Sequence, residues 1–211
     1  MIRHHLSDDL LTGYSAGTLP EAFNLLVATH VSLCDECRAR LGALDAVGGA
    51  VLEACESVAM DEGALAATLS RLGAAPEPLV VEPPAAIFPA PLRDYVGGDA
   101  ESVRWRSVGG GVRQAILKTS DAASARLLYI PGGMAVPDHG HRGTELTLVL
   151  QGAFHDETDH FGRGDVEIAD EDLQHTPTAL AGEPCICLAV TDAPLRFNGL
   201  IPRLLQPFLK I

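Results

Sequence analysis

The stretch HVSLCDEC contains three side chains with the spacing of metal ligands. His30, Cys34 and Cys37 follow one another at intervals of four and three residues. On helices these intervals place side chains on one face, so the three ligands can converge on one point. Zinc prefers four tetrahedral ligands drawn from thiolate and imidazole, and His5 or His4 can supply the fourth. Such a set leaves no open position and indicates a structural site; the alternative is two buried cysteines beside a surface histidine.

A second group of ligand-type residues lies in VPDHGHRGTELTLVL, residues 136–150. His139 and His141 alternate along the chain, so in a strand both point to the same side. Glu145 follows four residues later, and Gly133 and Gly152 flank the group. This spacing resembles the first cupin motif. The alternative is a pair of exposed loop histidines.

The cupin resemblance implies a small double-sheet barrel with a metal inside. Its second motif should supply one more histidine, and residues 164–175, GDVEIADEDLQH, fit that motif in length. The sequence departs from the family pattern at Asp170 in place of proline, Asp172 in place of glycine and Ala179 in place of asparagine. These departures affect the loops and leave the ligands in place. The implied ligands of a divalent ion such as zinc, iron, manganese or nickel are His139, His141, Glu145 and His175.

Three histidines and a carboxylate leave open positions on an octahedral metal, which is the arrangement of a catalytic centre. A metal-dependent cupin dioxygenase or isomerase is therefore one hypothesis. The strands around the motif are dominated by leucine, isoleucine, valine and alanine, however, and offer little to hold an organic substrate.

The elements that must position these residues differ between the two halves of the chain. A segment containing six of the fourteen prolines, residues 74–91, predicts an extended linker. Before it the pattern is helical: Ser7 is a plausible N-cap, Pro20 begins a second helix, Asp35 begins a third and Ala64 a shorter fourth. After it, short alternating strands punctuated by glycine predict an antiparallel barrel or jelly roll.

The expected fold class is therefore α+β, with two domains. Residues 1–80 form a zinc-binding helical domain of about four helices, residues 81–91 form the proline-rich linker, and residues 92–211 form an antiparallel cupin β-barrel.

Composition and charge limit the function. The chain has 211 residues, is 47% hydrophobic and carries a formal net charge of −13, which argues against direct nucleic-acid binding and favours a basic protein partner. The acidic excess is concentrated in the helical half. No apolar run approaches the roughly 20 residues of a membrane span, and the N-terminus lacks a signal-peptide pattern, so we expect a cytoplasmic protein.

The remaining cysteines and histidines have less specific surroundings. Helical spacing predicts an apolar face on the third helix formed by Cys37, Leu41, Leu44, Val51 and Cys55, so Cys55 is expected in the core. Cys185 and Cys187 alternate onto one face of a late strand; they are candidate sites of oxidation or, alternatively, small buried hydrophobes. His155 and His160 lie in a polar run and are expected to be solvated turn residues.

The whole chain, from IRHHLSDDLLTGYSAGTLPEAFNLLVATHVSLCDECRARLGALDAVGG through PGGMAVPDHGHRGTELTLVLQGAF to CICLAVTDAPLRFN, resembles the ChrR family of anti-sigma factors. The resemblance implies a regulator, not an enzyme: a zinc-binding domain sequesters a sigma factor of the extracytoplasmic-function type in a 1:1 heterodimer. The cupin-like domain is implied to bind zinc and to sense singlet oxygen or related organic oxidants. His5 is the implied fourth ligand beside His30, Cys34 and Cys37.

Affinity for such a partner should come from apolar helix faces that dock into its grooves. The candidates on the first and fourth predicted helices, each of which is also a candidate for the core, are Leu10, Leu11, Tyr14, Leu65 and Leu69.

Overall fold

The computed structural model describes residues 1–72 and 86–194, together with the backbone of residues 196–197. The predicted four helices of the N-terminal part are confirmed, and a fifth follows. The helices are α1 (Asp8–Ser15), α2 (Glu21–Leu33), α3 (Asp35–Glu53), α4 (Ala64–Arg71) and α5 (Ala90–Val96). The predicted cap of α1 is also present, since the Ser7 hydroxyl accepts a hydrogen bond from the Leu10 amide at 3.3 Å.

Helices α2 and α3 meet at Cys34, which ends the first and begins the second. Its backbone is extended, with φ −108° and ψ 106°, and its amide donates to the His30 carbonyl at 2.9 Å. Its sulfur accepts from the Cys37 amide at 3.5 Å. The chain therefore turns within one residue, which brings the end of α2 and the first turn of α3 together.

The predicted apolar face of α3 is wrong in its second half. Leu41 and Leu44 pack against the core, but Val51 is 65% exposed. Cys55, expected in the core, is exposed and lies beyond the end of the helix at Glu53. The residues of α3 after Leu44 are exposed, so helical periodicity continues beyond the packed region.

The predicted proline-rich linker is described only in part, because residues 73–85 lie outside the described ranges. Its last two residues, Ala90 and Pro91, form the first turn of α5 instead of an extended segment. Proline is tolerated there because the first helical amides have no partner within the helix. Helix α5 packs against α2, and the Tyr95 hydroxyl donates to the Glu21 carboxylate at 2.9 Å.

Residues 106–194, with the short strand at 196–197, form the predicted antiparallel cupin-like barrel, which confirms the α+β fold class. The strands are β1 (Arg106–Gly109), β2 (Val112–Leu117), β3 (Ser124–Ile130), β4 (His139–Gly140), β5 (Glu145–Gln151), β6 (Ala153–His155), β7 (His160–Gly162), β8 (Val166–Ala169), β9 (Gln174–His175), β10 (Thr178–Ala179), β11 (Cys185–Thr191) and β12 (Arg196–Phe197). They form a six-stranded sheet of order β1-β2-β3-β11-β5-β8 and two three-stranded sheets, β10-β6-β7 and β12-β4-β9.

Strand β11 lies between the two hydrophobic clusters of the molecule, and all seven of its residues are buried. Ile186, Leu188 and Val190 pack in one cluster with the buried residues of α2. Cys185 and Cys187 point to the other side, into a cluster with aromatic rings of β6 and β7. The helical region thus lies directly on the outer face of the barrel sheet. Within the described ranges, no helix is long and apolar enough to cross a membrane.

Two candidate metal centres

The four side chains predicted for the N-terminal site come together in the structure. One ligand atom from each of His5, His30, Cys34 and Cys37 lies within 4.8 Å of all the others. His5 Nδ1 is 3.3 Å from Cys34 Sγ and 3.7 Å from Cys37 Sγ. Tetrahedral zinc with bonds of about 2.0–2.3 Å has ligand atoms about 3.3–3.8 Å apart. The spacing therefore fits a closed zinc site.

The imidazole of His30 is prepared for a metal by its surroundings. Its Nδ1 lies 2.9 Å from the Gly164 carbonyl. A carbonyl only accepts, so Nδ1 carries the proton and Nε2 presents a lone pair. Among the described side chains, Nε2 of His30 is a buried nitrogen without a hydrogen-bond partner. Burial is the main cause that lowers the pKa of His30 to about 4, which keeps the ring neutral.

The two thiols of this site favour a cation between them. Cys34 and Cys37 are both buried. Burial is the main cause that raises the pKa of Cys37, and the neighbouring charge of Cys34 raises it further. A divalent ion would reverse this effect by stabilising both thiolates.

The neighbouring His4 points away from this site. Its Nε2 lies 3.1 Å from Asp159 Oδ2, and its ring is 4.4 Å from the ring of Phe161. His5 faces the cysteines, and its Nε2 lies 3.4 Å from a Glu36 carboxylate oxygen. The geometry therefore favours His5 over His4 as the fourth ligand.

The barrel brings its three predicted histidines into a second cluster. His139 pairs directly with His175 across β4 and β9, and their Nε2 atoms are 3.2 Å apart. The Nε2 atoms of His141 and His175 are also 3.2 Å apart. Imidazole nitrogens on a metal at about 2.1 Å lie about 3.0 Å apart in an octahedron and about 3.4 Å apart in a tetrahedron. The cluster fits a divalent metal.

The second ring nitrogen of His139 fixes the tautomer of that ring, and burial keeps both His139 and His141 neutral. His139 Nδ1 lies 2.9 Å from the Pro137 carbonyl, so Nδ1 carries the proton and Nε2 carries the lone pair that a metal would bind. Burial is the main cause that lowers the pKa of His139 and of His141 to about 4. Both rings are therefore neutral.

Two carboxylates behind His175 are site residues that the sequence reasoning missed. His175 Nδ1 lies 2.8 Å from Asp156 Oδ2 and 3.0 Å from Glu167 Oε1. Burial alone would lower the pKa of His175, but these hydrogen bonds and charges raise it to about 9. With a metal on Nε2, the carboxylates would orient the ring as in other metal sites with a histidine–carboxylate pair.

The pKa values of these two carboxylates are shifted in opposite directions. Burial is the main cause that raises the pKa of Glu167 to about 7. Burial also acts to raise the pKa of Asp156, but hydrogen bonds from Glu167, Thr158 and His175 hold it well below its usual range. The local sequence pattern did not reveal this residue, because the alternation of Val166, Glu167 and Ile168 by itself predicts an outward carboxylate, whereas Glu167 is buried and Ile168 is exposed.

Glu145, the predicted fourth ligand of the barrel, lies beside the histidines without an oxygen among the converging atoms. Its Oε2 is 3.8 Å from His141 Nδ1, and the Thr147 hydroxyl donates to Oε1 at 3.4 Å. Burial is the main cause that raises its pKa, and the charge of Arg126 opposes this. Its role as a ligand remains a prediction.

The barrel wall is more polar than the strand sequences indicated. Arg126 on β3 and Gln114 on β2 are buried, and Arg126 Nη1 donates to Gln114 Oε1 at 3.5 Å. Both residues lie within strands that are otherwise mainly apolar. The apolar composition of the strands therefore did not reveal that two polar side chains are buried. Such groups require charged or polar partners inside the barrel.

The other cysteines and histidines singled out from the sequence lie outside the two ligand clusters. Cys185 and Cys187 are buried with their sulfurs 3.4 Å apart, and their mutual hydrogen bond, followed by burial, raises the pKa of Cys187. His155 and His160 are exposed as expected, but they pair with each other across β6 and β7 and do not lie in a turn.

The fold and the two ligand clusters define a helical metal-binding region joined to a cupin-like barrel with a histidine-lined site. A family model for the ChrR cupin-like domain matches residues 94–194. The chain is 65% identical over 213 residues to the anti-sigma-E factor ChrR of Cereibacter sphaeroides, covering 100% of this chain and 99% of that protein. The chain belongs to the ChrR family of anti-sigma factors.

The fold also matches a crystal structure of Rhodobacter sphaeroides SigE in complex with the anti-sigma ChrR. The TM-score is 0.81 at 65% sequence identity, and the match covers 91% of this chain and 100% of that chain. A family of regulatory proteins supports the predicted non-enzymatic class over the alternative of a dioxygenase or isomerase.

Proposed function

We propose that this chain is a zinc-dependent anti-sigma factor that binds a sigma factor of the extracytoplasmic-function type 1:1 and keeps it from RNA polymerase. The observation that carries the proposal is the 65% identity over the whole chain to an anti-sigma-E factor, with all four N-terminal ligand positions converging. The net charge of −13 supports a protein partner over direct nucleic-acid binding.

The sigma-binding surface that we propose consists of the apolar side chains on the second half of α3 and on α4. Among the five candidates named from the sequence, Leu65 and Leu69 are 71% and 56% exposed, whereas Leu11 is fully buried. Leu10 and Tyr14 are partly buried against the core. This surface, called the α3–α4 surface below, comprises Val47, Val51, Leu52, Leu65, Leu69 and Leu72, all exposed.

Acidic side chains accompany the α3–α4 surface. Four of them are exposed at the end of α3 and in the segment that leads to α4: Glu53, Glu56, Asp61 and Glu62. Sigma factors present basic surfaces to promoter DNA, so these carboxylates favour encounter, while the apolar side chains supply affinity.

Zinc in the N-terminal site would organise the helical region, residues 1–80. A closed site of two imidazoles and two thiolates is structural and contributes to folding on the order of 10 kcal/mol. In this scheme His5 connects the N-terminal segment to the α2–α3 turn.

The barrel, within residues 92–211, would act as the sensor in the cytoplasm. A divalent metal, which we take to be zinc, would be held by the three histidines with Glu145, and it would supply a fixed centre around which oxidisable imidazoles are arranged. Singlet oxygen or an organic oxidant would modify these side chains, after which sigma is released. The thiols of Cys185 and Cys187 are a second, buried candidate for oxidation.

The test is transcription in vitro from a promoter that depends on the cognate sigma factor. Equimolar full-length chain should suppress transcription by the sigma–polymerase holoenzyme. The variant Leu65→Asp with Leu69→Asp should inhibit much less, whereas Ser70→Asp, which adds charge to the same helix without removing an apolar contact, should inhibit normally. Full transcription at a large excess of the metal-loaded chain would contradict the proposal.

A further inference from the structure

One turn of the barrel, residues 162–165 between β7 and β8, lies against the N-terminal metal centre. The Gly164 carbonyl accepts the hydrogen bond that fixes the tautomer of His30, at 2.9 Å across 134 residues of sequence. Without this acceptor, either nitrogen of the His30 ring could carry the proton. A group in the barrel therefore sets the orientation of a ligand in the helical region.

The next residue of the same turn holds the segment that carries His5. One carboxylate oxygen of Asp165 accepts from the backbone amides of Arg3 at 2.6 Å and His4 at 2.9 Å. The other oxygen accepts from the Gly162 amide at 2.8 Å. Asp165 is only 5% exposed, so these bonds are shielded from water.

The backbone continues this attachment on both sides of the carboxylate. The Val166 amide donates to the His4 carbonyl at 3.3 Å. Gly164 has φ +90°, and a Cβ built on it would lie 2.5 Å from Ile2 Cδ1. The side chain of Ile2 thus occupies the space that glycine leaves, and the segment before His5 is held by both polar and apolar contacts.

We propose that the turn Gly162–Asp165 is a positioning element of the N-terminal metal site, so that docking on the barrel slows the loss of metal from the helical region. Gly164 orients His30 and Asp165 holds the backbone next to His5, so two of the four ligands depend on the barrel. This inference relies on the proposed function for the presence of a metal and not for the identity of the partner.

The same short segment also reaches the barrel centre. Glu167 lies two residues beyond Asp165 and contacts His175 Nδ1 at 3.0 Å. The segment of residues 164–167 therefore contacts a candidate ligand in each metal centre. Gly164, at its start, contacts His30, and Glu167, at its end, contacts His175. A displacement of β8 by changes at the barrel histidines would move the groups that hold His30 and His5.

The experiment loads the full-length chain with cobalt(II). Cobalt bound by Cys34 and Cys37 gives a sulfur-to-metal charge-transfer band, which the thiolate-free barrel site does not produce, so the band reports the N-terminal site alone. Its decay after addition of a chelator measures metal loss. Asp165→Ala removes the three hydrogen bonds from backbone amides, and we expect about tenfold faster loss, as for other groups that position metal ligands.

The matched control is Asp159→Ala. Asp159 contacts the side chains of Arg3 and His4, but it is exposed, so its loss should change the rate less than twofold. If Asp165→Ala does not fold, the inference is tested with Ile2→Ala instead, because this change alters only the N-terminal segment. Ile2→Ala should also accelerate metal loss. Equal rates in the control and the folded Asp165→Ala, or in Ile2→Ala and wild type, would overturn the inference. Sigma binding is measured in parallel, since its absence from the cobalt-loaded wild type contradicts the proposed function instead.

Discussion

The Nδ1 atom of His5 lies 3.3 Å from the Sγ atom of Cys34, although 29 residues separate them in the chain. This contact closes the ligand set that α2 and α3 begin with His30 and Cys37. It connects the start of the chain to the α2–α3 turn, and a metal at this point would hold three elements together.

Replacement of Cys34 and Cys37 with serine should abolish zinc binding at the N-terminal site and with it sigma inhibition. Neutral hydroxyls do not replace the thiolates that zinc requires. Metal content and transcription in vitro measure the two effects. Cys55→Ser is the control, because Cys55 is exposed and outside the ligand set. Undiminished inhibition by the double variant would show that zinc does not organise the binding surface.

Replacement of His141 and Glu145 with alanine should leave sigma binding intact but prevent release by singlet oxygen. The barrel site loses two of its predicted ligands, while the α3–α4 surface is unchanged. The measurement is the fraction of sigma that remains bound after illumination with a photosensitiser. His155→Ala, at an exposed histidine, should release normally. Normal release by the double variant would exclude the barrel metal site as the sensor.

Replacement of Arg126 with methionine should destabilise the metal-free chain by about 1–3 kcal/mol, since it removes the buried cation whose charge favours the ionised form of Glu145. Adding Glu145→Gln should recover most of this loss. Urea denaturation measures both effects. Arg113→Met, which removes an exposed guanidinium 4.2 Å from the Tyr129 ring, should cost less than about 1 kcal/mol. A loss below about 1 kcal/mol for Arg126→Met would contradict the interaction.

The contribution of Asp165 should depend on pH. Burial acts to raise its pKa, but the backbone amides of Arg3, His4 and Gly162 outweigh burial and lower it. The stabilisation is therefore complete above the unfolded-state pKa of about 3.9 and is lost as the pH falls through the lower folded-state pKa.

Asp165→Asn removes this titration and provides the comparison. The difference in unfolding free energy between the metal-free wild type and the variant should be greatest near about pH 6 and shrink below about pH 4. Urea denaturation over this range tests it. A difference that stays constant or grows towards acid pH would mean that the amides do not favour the charged carboxylate.

The sequence predicted the parts of the sites that depend on local geometry. His30, Cys34 and Cys37 were found because helical spacing places them together, and His139 and His141 because they alternate along a strand. Gly164 and Asp156 were missed as partners of these ligands, since their contacts join distant segments and no local period reveals them. The prediction that Cys55 lies in the core was wrong, because the helical period of apolar residues in α3 does not show where the element that packs against the helix ends.

The measurement that tests the central claim most directly is sedimentation of the full-length chain mixed with its cognate sigma factor, before and after removal of zinc with a chelator. We predict a 1:1 complex for the zinc-loaded chain and free components after chelation. Separate sedimentation of the two zinc-loaded proteins would contradict the assignment as an anti-sigma factor. A complex that survives complete zinc removal would contradict the role of the metal.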